Sequence, residues 1–121
     1  MNVLGLHLLV ELKECNPSLL DDLNHIRMAM IRAAQEANAH IVGESFHHFS
    51  PQGVTGILAI AESHISIHTW PEYGYAAADI FTCGSTFQAK KVADILVGEL
   101  ESRDPEVTEI HRGLLRETVV S

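Results

Sequence analysis

Val54-Thr55-Gly56-Ile57-Leu58-Ala59-Ile60-Ala61 is apolar at odd and even positions alike. A run of this length with both parities apolar reads as a central strand. Pro51-Gln52-Gly53 in front of it is a turn, and residues 40–49 before the turn form a second strand. Downstream, residues 64–69 and 75–83 read as strands separated by Pro71-Glu72-Tyr73-Gly74. At the N-terminus, residues 3–12 alternate, with Leu4, Leu6, Leu8, Val10 and Leu12 on one face and His7 and Glu11 on the other. Asn16-Pro17 supplies an N-cap and a first helical position, and the spacing of Leu19, Leu23, Ile26, Met30 and Ala33/Ala34 predicts a helix over 17–38. Ser85 and Gln88 form a capping-box pattern that opens a helix over 86–101, and Arg103-Asp104-Pro105 turns into a short strand near 106–111. Two helices cannot cover both faces of such a sheet. The simplest packing is an α+β two-layer sandwich, with both helices on one face of a mostly antiparallel sheet. The uncovered face must then be polar or meet a partner. Residues 54–61 are not polar on either face, so a dimer is expected.

The chain has 121 residues, enough for one domain with a real core and too few for two. Its apolar fraction is 46% and its charged fraction 20%, as in a globular protein. The net charge of −8 argues against a nucleic-acid or anionic-membrane surface, and it is compatible with a cationic small-molecule substrate. No eighteen-residue apolar run is present, and Met1–Cys15 lacks the basic region and cleavage site of a signal peptide. Cys15 and Cys83 are too few for a disulfide framework, so a cytoplasmic protein with reduced thiols is expected.

All seven aromatics lie between residues 46 and 87, together with Cys83 and four of the eight histidines, His47, His48, His64 and His68. Aromatic side chains with a few polar groups suit a small-molecule pocket, though they suit a core equally well. No metal is expected: on a strand His64 and His68 stand about 13 Å apart, too far to share one ion. Ser63, His68 and Asp79 are the residue types of a hydrolase triad, but no Gly-x-Ser-x-Gly elbow accompanies them. Lys13, Lys90 and Lys91 sit at element ends or on a helix surface, poor places for a pyridoxal Schiff base. A further chemistry is attack by the Ser63 hydroxyl on the preceding Glu62 carbonyl. The resulting ester would eliminate to a dehydroalanine and hydrolyse to a pyruvoyl group, with His68 as base. Residue types alone do not select it from other Ser–His pairs. In one continuous strand Ser63 and His68 point to opposite faces, so this chemistry requires a bend or bulge near residues 62–64.

The run from Ala61 to Ala77, AESHISIHTWPEYGYAA, closely resembles the prokaryotic pyruvoyl-dependent S-adenosylmethionine decarboxylase proenzymes. So do Phe46-His47-His48-Phe49 with Pro51-Gln52-Gly53-Val54, Asp79–Gly84, and Gly5-Leu6-His7, in order over about residues 3–112. The resemblance implies a self-processing proenzyme of one domain, residues 1–121, cut between Glu62 and Ser63 into a β chain, 1–62, and an α chain, 63–121. Ser63 would become the pyruvoyl cofactor, His68 would assist processing with Thr55 in support, and Cys83 would donate the proton in decarboxylation. Phe49 and Glu72 match positions that hold the nucleoside, by adenine stacking and ribose hydrogen bonds. The family's two-layer fold forms dimers of αβ units, with residues of both protomers at each site. Decarboxylated S-adenosylmethionine is the aminopropyl donor for spermidine.

Three departures stand out: Leu6 where many relatives have Arg, Thr55 where Ser is usual, and a tail that ends soon after Gly113. Thr55 keeps the hydroxyl and adds a methyl. The alternatives are a pyruvoyl-dependent ornithine or arginine decarboxylase of the same family, and a non-catalytic ligand-binding dimer.

Overall fold

The computed structural model describes residues 2–61, 63–83 and 88–115. Its strands are β1 (Asn2–Lys13), β2 (Ile41–His48), β3 (Val54–Ile60), β4 (Ser63–Trp70), β5 (Tyr75–Thr82) and β6 (Asp104–Leu115). They form one sheet in the order β2-β3-β4-β5-β1-β6. Every neighbouring pair is antiparallel. Three helices pack on one face: α1 (Pro17–Leu20), α2 (Leu23–Glu36) and α3 (Ala89–Glu99). The expected α+β two-layer sandwich is therefore the fold.

The predicted helix over 17–38 is two helices. Asn16 caps α1, accepting a hydrogen bond from the Ser18 N–H, and after one turn Asp22 caps α2 by accepting from the His25 N–H. Asp21 and Asp22 sit where one helix stops and the next starts. The α3 helix is shorter than the predicted 86–101 and begins at Ala89. Gln88 is its N-cap but makes no side-chain cap bond, and Ser85 of the capping box lies outside the described residues. The last strand was expected short, yet β6 runs twelve residues against β1. Its charged, exposed side chains hid a strand whose pairing comes from β1.

The core lies between the helices and one face of the sheet. Leu8, Val10 and Leu12 of β1, Leu58 of β3, Ile65 and Ile67 of β4 and Ile80 of β5 meet Ile26, Met30, Val92 and Leu96. Burying each such large side chain contributes roughly 1.5–3 kcal/mol, so this layer dominates stability. On β3 the packing needs a glycine. A Cβ at Gly56 would lie 2.4 Å from the Phe46 ring, which rests across it from β2.

The opposite face carries no helix. Ile57, 44% exposed, and Leu9, 38% exposed, lie on it. Between and around them stand His7, Glu11, His64, Ser66, His68 and Asp79. Only the even positions of β3 are buried; Ile57 and Ala59 face outward. The face left uncovered is thus mixed, apolar with a polar band across its middle.

Candidate active site

Ser63 opens β4 directly after the chain turns back from β3, with Ile60 opposite it on one side and Thr82 on the other. Ile60 and Thr82 are buried toward the helices, so the Ser63 side chain points to that face. Glu62 lies outside the described residues. Cys83 follows Thr82, is exposed and unpaired, and borders a hollow of about 700 Å³ between β1, α3 and β6 with Lys90 and His111 on its wall. Ser63 and Cys83 therefore occupy the same end of the sheet. They come together because β4 and β5 pair antiparallel in the register Ser63↔Thr82.

His68 is elsewhere. The β4 strand is continuous from Ser63 to Trp70, without the bend that a Ser63–His68 pair in one chain requires. Five residues separate the two, about 16 Å along a strand, and they project from opposite faces. The bend near residues 62–64 that a Ser63–His68 pair within one chain requires is absent among the described residues, and Thr55 lies at the His68 end of the strand. Thr55 pairs directly with His68, its Oγ1 3.0 Å from the His68 Nδ1.

Around this second pair a hollow of about 310 Å³ is lined by Phe49, Gln52, Gly53, Thr55, His68, Trp70 and Glu72. The hairpin from Phe49 to Gly53 is closed by the Phe49 N–H donating to the Gly53 carbonyl. Asp21 braces it from below. Its carboxylate accepts from the Gly53 N–H at 2.9 Å and from His48 Nε2 at 2.8 Å, and these bonds, the backbone one foremost, hold its pKa below the usual range. Thr69 Oγ1 adds a bond to Leu20 O and accepts from the Val54 N–H, tying the rim to α1. The Phe49 ring is left 48% exposed, with the His47 ring edge-on at 4.4 Å. Glu72 stands exposed in a 3₁₀ turn, Pro71–Tyr73, closed by Gly74 in the left-handed conformation at φ 60°. Trp70 stacks on Tyr75 at 5.4 Å. The Tyr75 hydroxyl donates to Glu11, and burial together with that carboxylate pushes its pKa up to about 12. An open aromatic ring, a carboxylate and an imidazole around one small hollow suit a flat, polar-edged ligand.

A third cluster lies on the same open face. Asp79 accepts from His7 Nε2 at 2.6 Å, from His64 Nε2 at 3.1 Å and from the Ser66 hydroxyl. Burial raises the Asp79 pKa, but the bonds from Ser66, His7 and His64 outweigh it and hold the carboxyl below its ordinary value. Asp79 thus serves His64 and not His68, and the types of a Ser63–His68–Asp79 triad are not assembled. Among the described residues, His7, His64 and Asp79 are the one group with metal-ligating atoms close together, within 4.8 Å. Arg112 Nη1 lies 3.2 Å from His7 Nδ1 and donates there, which leaves the His7 proton on Nε2, facing Asp79. That tautomer serves a hydrogen bond and opposes ligation through Nε2. The structure therefore adds His7, Gln52 and Trp70 to the residues of interest and gives Asp79 partners other than Ser63 and His68. Strand parity puts His7 and Asp79 on one face, but only the register of β1 with β5 makes them neighbours.

Residues 6–113 match the family of S-adenosylmethionine decarboxylase. The chain belongs to the S-adenosylmethionine decarboxylase family. It is 47% identical over 115 residues to an S-adenosylmethionine decarboxylase proenzyme of Thermodesulfovibrio yellowstonii, covering 95% of this chain and 85% of that one. A proenzyme of Pseudomonas aeruginosa is 46% identical, covering 94% and 71%. One of Pyrococcus horikoshii is 41% identical, covering 97% and 84%. The crystal structure of the adenosylmethionine decarboxylase from Aquifex aeolicus superposes with a TM-score of 0.91 at 32% identity, covering 100% of both chains.

Proposed function

We propose that the chain is a self-processing, pyruvoyl-dependent decarboxylase of S-adenosylmethionine, working as a homodimer in the cytoplasm and supplying the aminopropyl donor for spermidine synthesis. The observation that carries this is the family match across nearly the whole chain, with Ser63 as the first residue after the β3–β4 turn. That position fits the conversion of Ser63. A cut before Ser63 opens a turn and leaves the ladder from Ile60↔Ser63 to Thr55↔His68 in place. The fragments 1–62 and 63–121 also interleave. β1 of the first lies between β5 and β6 of the second, so both stay in one sheet after cleavage.

In processing, the Ser63 hydroxyl attacks the Glu62 carbonyl carbon and the peptide C–N bond breaks, leaving an ester and a free amine. Loss of the Ser63 α-proton then expels the Glu62 carboxylate. The dehydroalanine left behind takes up water and releases ammonia. His68 is the base and Thr55 orients its ring through the 3.0 Å contact at Nδ1. The pyruvoyl group so formed supplies a ketone for the substrate amine and a conjugated electron sink for the carboxylate's departure. Cys83, at the same end of the sheet, returns the proton to the substrate α-carbon. Phe49 offers its open face to the adenine or the sulfonium, and Glu72 accepts from the ribose hydroxyls.

Because Ser63 and His68 stand at opposite ends of one sheet, each site draws on two chains. A two-fold axis lying between two open faces, perpendicular to the strands, sets the Ser63 end of one protomer over the Thr55–His68 end of the other, and the Ser63 side chain, which starts on the helix face, turns past the end of β4 to meet the partner. The apolar Ile57 and Leu9 on that face support such a contact. The unpaired thiols Cys15 and Cys83 agree with a reducing compartment. Among the described residues no helix is long and apolar enough to cross a membrane.

The test is the intact mass of denatured protein together with CO₂ release from S-adenosylmethionine, ornithine and arginine side by side. Two fragments meeting at Glu62/Ser63, absent in Ser63→Ala, and release from S-adenosylmethionine alone are expected. Release only from an amino acid would transfer the substrate to the alternative. A single uncleaved mass would leave a binding protein on this fold.

A further inference from the structure

The Asp79 cluster on the open face has no part in the processing and decarboxylation steps above, yet it ends at His64, the residue bonded to Ser63. Asp79 Oδ2 accepts from His64 Nε2 at 3.1 Å and from His7 Nε2 at 2.6 Å, while Oδ1 accepts from the Ser66 hydroxyl. Arg112 continues the chain from β6 by donating to His7 Nδ1 at 3.2 Å. The bonds cross four adjacent strands, β4, β5, β1 and β6. The Phe81 ring fills the row between His64 and His7, edge-on to His7 at 5.5 Å and 6.0 Å from the His64 ring, with the Arg112 guanidinium 5.1 Å from its centroid. Gly5 makes room for it, since a Cβ there would lie 2.6 Å from that ring. Every donor in the set has the one carboxylate, or the imidazole next to it, as acceptor.

We infer that Asp79 is a positioning residue for Ser63, acting through His64. The inference rests on the proposed self-processing. His64 contributes the amide nitrogen that stays bonded to residue 63 before and after cleavage. Its side chain, clamped to Asp79 and Phe81, fixes the orientation of that amide on the face opposite the Ser63 hydroxyl. Attack on the preceding carbonyl needs the hydroxyl within a near-attack geometry, and looseness of about 1 Å costs up to ~100-fold in rate. After cleavage the same clamp fixes the residue that follows the new N-terminal group.

The test compares the cleavage rates of full-length wild type, Asp79→Asn, His64→Gln and the double variant. The 63–121 fragment is followed on denaturing gels, with circular dichroism and sedimentation recorded for each protein. Both single variants are expected to cleave at least about tenfold more slowly while remaining folded dimers, and the double no more slowly than the slower single. In fully processed protein, Asp79→Asn lowers kcat per cleaved chain and leaves KM unchanged, with circular dichroism and thermal unfolding matching wild type, which a general loss of packing would not give. Cleavage of Asp79→Asn within twofold of wild type overturns the inference. So does a double variant whose defect is the product of the singles, or a slow Asp79→Asn that has become monomeric. If Asp79→Asn does not fold, His64→Gln decides: slow and folded supports the clamp, unimpaired refutes it. A wild-type chain that never cleaves would remove the proposed function and the clamp together, whereas a wild type that cleaves alongside an Asp79→Asn that cleaves within twofold of it removes the clamp alone.

Discussion

Mixing two inactive variants tests whether the site is shared between chains. Ser63 and His68 lie about 16 Å apart along β4 and on opposite faces, against a hydrogen-bond reach of about 3 Å. No side-chain rotation closes that gap, so a Ser63→Ala chain and a His68→Ala chain each lack one half of every site they form alone. Co-expressed, they build mixed dimers in which the serine of the His68→Ala chain faces the histidine of the Ser63→Ala chain. With equal amounts and random pairing, half of the dimers are mixed and each holds one cleavable chain, so about one quarter of all chains is cleaved. Tagging the two variants differently and separating them on a denaturing gel reads this directly, and only the His68→Ala chain is cut. Adding Cys83→Ser to that chain abolishes turnover in the mixed dimer, whereas adding it to the Ser63→Ala chain does not. No cleavage in any mixture, or unimpaired cleavage of His68→Ala alone, refutes the composite site.

Thr55→Ser keeps the oxygen that meets His68 and drops the methyl, so it cleaves at least as fast as wild type; Thr55→Ala slows cleavage about tenfold or more, followed by the same gel assay. Gly56→Ala forces the Phe46 ring off β3 and lowers stability by about 1–3 kcal/mol in denaturant unfolding. In an alkaline absorbance titration Tyr75, one of two tyrosines, ionises near pH 12, and Tyr75→Phe removes that step. The sign follows from the raised value: Tyr75 favours the fold fully below its ordinary value of about 10 and loses that contribution as the pH climbs through the folded one.

The alternation of residues 3–12, the run at 54–61 and the turns at Pro51–Gly53 and Pro71–Gly74 were enough to place the first five strands, because a strand's parity and a turn's chemistry are local properties. The same locality hid the break between α1 and α2. Leu19, Leu23 and Ile26 keep helical spacing across Asp22, and only the cap geometry shows that the helix restarts there. The sixth strand was underestimated for the opposite reason: its residues are all exposed, and its length comes from pairing along the whole of β1. Ser63, His68, Cys83, Phe49 and Glu72 were visible as a motif, and strand parity already put Ser63 and His68 on opposite faces. The sequence by itself determined the family, the residue types of the chemistry and the two-layer architecture. Tertiary structure alone decided that Ser63 and Cys83 share one end of the sheet, that Thr55, His68, Phe49 and Glu72 share the other, and that Asp79 gathers His7, His64 and Ser66 rather than His68. Those groupings depend on strand register and order, which are set by pairings between residues far apart in the chain, and a shift of one residue would send each side chain to the other face.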